Sequence, residues 1–153
     1  MLTLRHFRKI EKEIKGLKKC QSIYSRKKNA LCYKLSKMGT QHRANAIERM
    51  IRDYLITMGN RVDYFGGNHS YDMVVNGKKV EVKSSLAQPI SGKKYRYRFQ
   101  NIKSGYFHEI ILVFVTPKGI KIKRMNKNRL ENQIRYAKCY SNGKTLELKE
   151  LAA

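Results

Sequence analysis

Apolar side chains recur at three- and four-residue steps through the first third of this chain and at alternate positions beyond it, which predicts helices leading into a meander of strands. Leu4, Phe7, Ile10, Ile14 and Leu17 make the stripe of a basic amphipathic helix, and a second helix over 22–37 turns Ile23, Leu31 and Leu35 inward. Gly39 stops that helix and Thr40 opens the next. The strongest helical pattern covers 41–58, where Ala44, Ile47, Met50, Ile51, Tyr54, Leu55 and Met58 form a wide apolar face, flanked by Glu48 and ended by Gly59.

Three extended segments follow at 61–65, 71–75 and 79–84, the last two joined by Asn76-Gly77, a strong hairpin signal. The stretch over 85–108 is either a long loop or an added hairpin, with Pro89 and Gly92 breaking its start. A continuous apolar run at 110–115 predicts a strand buried on both faces, which Pro117 and Gly119 turn into another at 120–125. A helix over 126–136 and a short strand at 145–148 close the chain. The division this suggests is a basic helical extension over 1–38 and one domain over 39–153.

Charge narrows the field of partners. The 153 residues hold 34 Lys and Arg against 11 Asp and Glu, a formal charge of +23. That exceeds what solubility needs and calls for an anionic partner, nucleic acid or an anionic membrane surface. Ten Tyr and five Phe interleaved with the basic residues favour nucleic acid, because rings stack on bases. The first 20 residues are charged throughout, and no later run is long and apolar enough to span a bilayer. A soluble intracellular protein of the cytoplasm or nucleoid is expected, without membrane contact. Cys20, Cys32 and Cys139 show no Cys-x-x-Cys spacing, so neither a disulfide framework nor a structural zinc site is expected.

With acids so scarce, their placement carries information. Side chains alternate along a strand, so Glu81 and Lys83 share one face while Val80 and Val82 point to the core. A tight turn at Asn76-Gly77 brings Asp72 to the level of Glu81 on the neighbouring strand. Two carboxylates that close repel unless a cation lies between them, and oxygen-only ligands suit Mg²⁺, with Mn²⁺ able to substitute. Lys83 stands where it could orient an attacking water and offset charge on a phosphate. The same residues also have plain structural roles: Glu81 and Lys83 as a surface ion pair worth a few tenths of a kcal/mol, Asp72 as the start of a strand, Glu48 as a helix-surface acid. Three of the five acids between Gly39 and Lys83 fall on the pattern, which favours a shared cause. His69 fits a turn histidine without a catalytic role.

Ala46-Ile47-Glu48-Arg49 on a helix, then Tyr71-Asp72-Met73-Val74-Val75, then Val80-Glu81-Val82-Lys83-Ser84, in that order, resemble the PD-(D/E)XK nuclease superfamily. The resemblance spans about 40–125 and implies an α/β, restriction-endonuclease-like fold, a central mixed β-sheet flanked by helices. It implies that Asp72 and Glu81 are metal ligands, that the Val82 carbonyl is a further ligand, that Lys83 is the catalytic lysine, and that Glu48 is the helix acid binding metal directly or through water. Tyr71 stands where the name-giving Pro would be, a position that supplies no ligand. The combination is nearest to small intron-encoded homing endonucleases and archaeal Holliday-junction resolvases.

The function implied is Mg²⁺-dependent hydrolysis of DNA by an endonuclease of homing or restriction type, with junction resolution as the alternative. A non-catalytic nucleic-acid-binding module is the alternative of another class. Arg96, Arg98 and Gln100, preceded by Lys93 and Lys94, are the candidate DNA contacts: in a strand, Tyr95, Tyr97 and Phe99 would line one face and the arginines the other, a shape suited to a phosphate backbone. Cutting two strands with one short domain suggests a homodimer or higher even oligomer.

Overall fold

In the computed structural model, the described residues are 23–66, 69–90, 94–134, 139–140 and 143–151. Of the basic extension, 1–22 therefore lies outside them, as do Lys93 and Cys20. The described elements in chain order are α1 (Ala30–Lys37), α2 (Thr40–Thr57), β1 (Val62–Tyr64), β2 (Met73–Val75), β3 (Lys78–Leu86), β4 (Gln88–Pro89), β5 (Lys94–Ile102), a 3₁₀ turn (Ser104–Tyr106), β6 (Glu109–Val115), β7 (Ile120–Asn126), α3 (Lys127–Ile134), β8 (Cys139–Tyr140) and β9 (Gly143–Leu151).

Five strands in the order β1-β2-β3-β6-β7 make the central sheet, with antiparallel pairs at both sides and the parallel pair β3/β6 in the middle. Helices flank it, so the molecule is an α/β fold with a mixed sheet. β6 is an interior strand between β3 and β7, and its Ile110, Ile111, Leu112, Val113 and Val115 are almost wholly buried, as a continuous apolar run requires of a strand covered on both faces. Shortening Leu112 to Ala there would cost about 2–5 kcal/mol. Asn76 and Gly77 both hold positive φ, 49° and 82°, the geometry that lets two residues reverse the chain from β2 into β3.

A second sheet, β4-β5-β9-β8, is antiparallel throughout. The hairpin option for 85–108 holds only in part. β5 does pair with the short β4, but its main partner is β9, a strand of nine residues where the sequence pattern suggests four. β5 is thus an interior strand. Tyr97 and Phe99 are buried and meet Phe114 of β6 edge-on, at centroid distances of 4.9 and 5.2 Å. Those two rings are core, while Arg98 and Gln100 on the opposite face of β5 are exposed, so the strand does place its rings and its polar residues on different faces.

The helices differ from their periodicity in instructive ways. α1 starts at Ala30 because the Asn29 side chain accepts from the Cys32 N–H and caps it. Cys32 and Leu35 then point inward, Cys32 as a buried free thiol, while Leu31 is 46 % exposed. On α2 the buried stripe is Ile47, Glu48, Ile51 and Leu55, and Tyr54 and Met58 face out.

Upstream of α1, Tyr24 ties the chain to the sheet. Its hydroxyl accepts the Ala87 N–H at 2.8 Å and donates to the Val115 carbonyl, bridging the ends of β3 and β6. Burial pushes the phenol well above its ordinary pKa. Tyr24→Phe should lower stability by about 1 kcal/mol, because the Val115 carbonyl, which also accepts the Ala87 N–H at 3.3 Å, loses the hydroxyl, and a lower urea midpoint with an unchanged slope is the measurement that checks this.

Candidate active site

β3 alternates as a strand must. Val80 and Val82 are buried while Glu81 and Lys83 share the other face, joined by an ion pair of 2.9 Å between Lys83 Nζ and Glu81 Oε1. β2 pairs with β3 up to the register Met73↔Val80, and Asp72, one residue before that pair, lines the same cleft as Glu81. The Asp72 N–H donates to the Val80 carbonyl at 3.1 Å, which holds Asp72 against β3 just beyond the end of the regular ladder. Asp72 is only 8 % exposed, and its Oδ2 accepts the Val82 N–H at 2.7 Å. Glu48 reaches the same place from α2, which packs on β1 and β3. It does not flank the apolar face; it lies within the buried stripe, and its Oε2 accepts from the Tyr64 hydroxyl at 3.0 Å.

Three carboxylates and one ammonium thus line a single cleft of about 760 Å³. Its wall also includes Arg43 at the start of α2, His69 and Ser70 before Asp72, and Arg98, Gln100 and Lys103 from β5 and beyond. The electrostatics are those of crowded acids. Burial, then the charge of Glu81, and more weakly that of Glu48, raise the Asp72 carboxyl from 3.8 to about 7 against the lowering effect of the Val82 N–H. Burial also raises Glu48, with the Tyr64 hydrogen bond opposing it and Glu81 adding to it.

The donor set is oxygen only and anionic, which fits a hard divalent cation in chemistry. Among the described residues, no three His, Cys, Asp or Glu side chains stand in a ready-made ligating arrangement. Glu81 is turned to Lys83 and Glu48 to Tyr64, so both carboxylates are held by protein donors.

No family model matches the chain, and no curated protein matches it either. Among solved structures, a bacterial homing endonuclease, I-Ssp6803I, superposes with a TM-score of 0.46 at 19 % identity, over 72 % of this chain and 76 % of that one. That likeness is too distant to carry a role to any residue.

Of the candidate DNA contacts, Arg98 and Gln100 reach the cleft. Arg96 and Arg98 both meet Glu147 of β9, at 3.7 and 3.4 Å, and Arg96 also lies 3.5 Å from Gln88. Lys94 is exposed at the start of β5. Two contributors escaped the sequence pattern. Tyr64 holds Glu48, and Ser85 Oγ accepts the Arg98 N–H at 2.9 Å, fastening β5 to the strand that carries Glu81 and Lys83. A Tyr whose partner is 16 positions away, and a Ser whose partner is 13 positions away, give no local signal. No described helix is long and apolar enough to cross a membrane.

Proposed function

We propose that this chain is a Mg²⁺-dependent DNA endonuclease of the PD-(D/E)XK type, homing or restriction in character. The observation that carries it is the convergence of Glu48, Asp72, Glu81 and Lys83 on one cleft that Arg98 and Gln100 also line. A chain of +23 gathers its scarce acids where a polyanion would be drawn, an arrangement that costs stability and favours DNA binding only if the acids hold a cation.

Asp72, Glu81 and Glu48, with the Val82 carbonyl, would hold Mg²⁺ or Mn²⁺, and that ion when bound lowers the pKa of an attacking water and offsets phosphate charge. Lys83 orients the water and stabilises the negative charge that builds on the phosphoryl oxygens. Tyr64 keeps Glu48 aimed at the cleft. Arg98 and Gln100 hold the DNA backbone, with Ser85 fixing their strand. Two copies in an even oligomer would address the two strands of a duplex.

Incubation with millimolar Mg²⁺ and two substrates, a linear genomic library and a four-way junction, tests the proposal. Discrete cuts in linear DNA, abolished by EDTA, are expected. Selective cleavage of the junction would assign resolution instead. DNA binding with no cleavage under either Mg²⁺ or Mn²⁺ would leave a non-catalytic binding module.

A further inference from the structure

Beside the cleft, three rings cluster outside the core. Phe65 lies 5.0 Å from His69 and 5.7 Å from Tyr71, edge-on to the latter at 84°, and His69 and Tyr71 are 6.3 Å apart. The Lys79 ammonium stands 5.1 Å over the Tyr71 ring. Phe65 remains 42 % exposed, unlike Tyr97 and Phe99, which are buried. The cluster is bolted to the candidate catalytic strand, because the Phe65 and Gly66 N–H groups both donate to the Asp72 carbonyl, at 3.0 and 3.4 Å. His69 and Ser70 extend it into the cleft wall.

We propose that Phe65, with His69 and Tyr71 behind it, is a stacking platform for one unpaired nucleobase of the DNA strand whose phosphate lies in the cleft. The proposal rests on the nuclease reading above and adds a feature of the substrate: local unstacking next to the cut. An exposed ring packed against two others, one of which carries a lysine over its face, is the combination that binds a base by its face and the adjoining phosphate by charge. Pulling a paired base from an intact duplex costs about as much as one stacking contact returns, so the platform favours a base already out of the helix. A duplex with one unpaired nucleotide should therefore bind more tightly than its perfect counterpart.

Binding is measured in EDTA, where no cut occurs, with a perfect duplex and the same duplex carrying one bulged nucleotide. The native chain should prefer the bulge by about tenfold, the scale of one stacked base. Phe65→Leu, which keeps apolar packing and removes the aromatic face, should bind both equally. Because the chain has no Trp, Phe65→Trp creates a sole reporter whose fluorescence the bulged duplex should quench, and Tyr54→Trp on the outer side of α2 should not respond. Equal affinity of the native chain for both duplexes, or an unquenched Trp at 65 in bound complexes, overturns the platform and leaves the nuclease reading intact. Bulge preference and quenching in a chain that cuts nothing uphold the platform and sink the nuclease reading. No DNA binding at all overturns both.

Discussion

Asp72→Asn should melt about 5 °C above the native chain at pH 8 without divalent cations, while cutting no DNA. The gain follows from what the native carboxylate endures. Burial first, then Glu81, hold its proton to about pH 7, where an unfolded Asp loses it near 4. Its folded pKa is raised, so its favourable contribution is complete at low pH and is lost as pH climbs from about 4 through 7. At about 1.4 kcal/mol per pKa unit the upper bound is about 4 kcal/mol, of which the tightly coupled Glu81 shares part. Asn retains an oxygen to accept the Val82 N–H and carries no charge, so it escapes the loss. Thermal melts from pH 4 to 8 check this: the two proteins should diverge as pH rises. Adding Mg²⁺ should then stabilise the native chain and leave Asp72→Asn unmoved, since only a species that binds the ion gains from it.

Lys83→Ala should lose cleavage by about 10²–10³-fold with DNA affinity nearly unchanged, the scale on which removing one preorganised charge acts. The ammonium is tucked against Glu81 at 2.9 Å, with its side chain 24 % exposed, so it is well placed to act on a bound phosphate and contributes little to surface charge. Lys83→Arg should not restore the rate, because a planar fork cannot substitute for a compact point charge in a cleft of this size. Single-turnover cleavage and filter binding on the same DNA separate the two effects. Equal losses in affinity and rate would instead make Lys83 a binding residue.

What could be read along the chain was whatever depends on near neighbours. Period-two alternation put Glu81 and Lys83 on one face, Asn76-Gly77 made the β2–β3 turn that brings Asp72 into the same cleft as Glu81, and an unbroken apolar run marked β6 as a strand buried on both faces. The rest depends on partners far away in sequence. Glu48 is satisfied in its buried position by Tyr64, 16 positions on, whose hydroxyl donates to it. The same Tyr-Arg alternation that suggested a DNA-facing strand is satisfied by Phe114 on one side and Glu147 on the other. β9 is long because β5 supplies its ladder, which no pattern within 143–151 announces. Tyr24, in a segment that reads as helix, lies before the first described helix, where its hydroxyl finds Ala87 and Val115.

The central claim is that the Asp72, Glu81 and Glu48 carboxylates share a divalent cation. An anomalous difference map from a crystal of the native chain soaked in Mn²⁺ addresses it most directly. The account predicts one strong peak between Asp72 and Glu81, with Glu81 swung off Lys83 to meet it, and no such peak in Asp72→Asn. A saturating soak that leaves Glu81 on Lys83, Glu48 on Tyr64 and no peak in the cleft would contradict it.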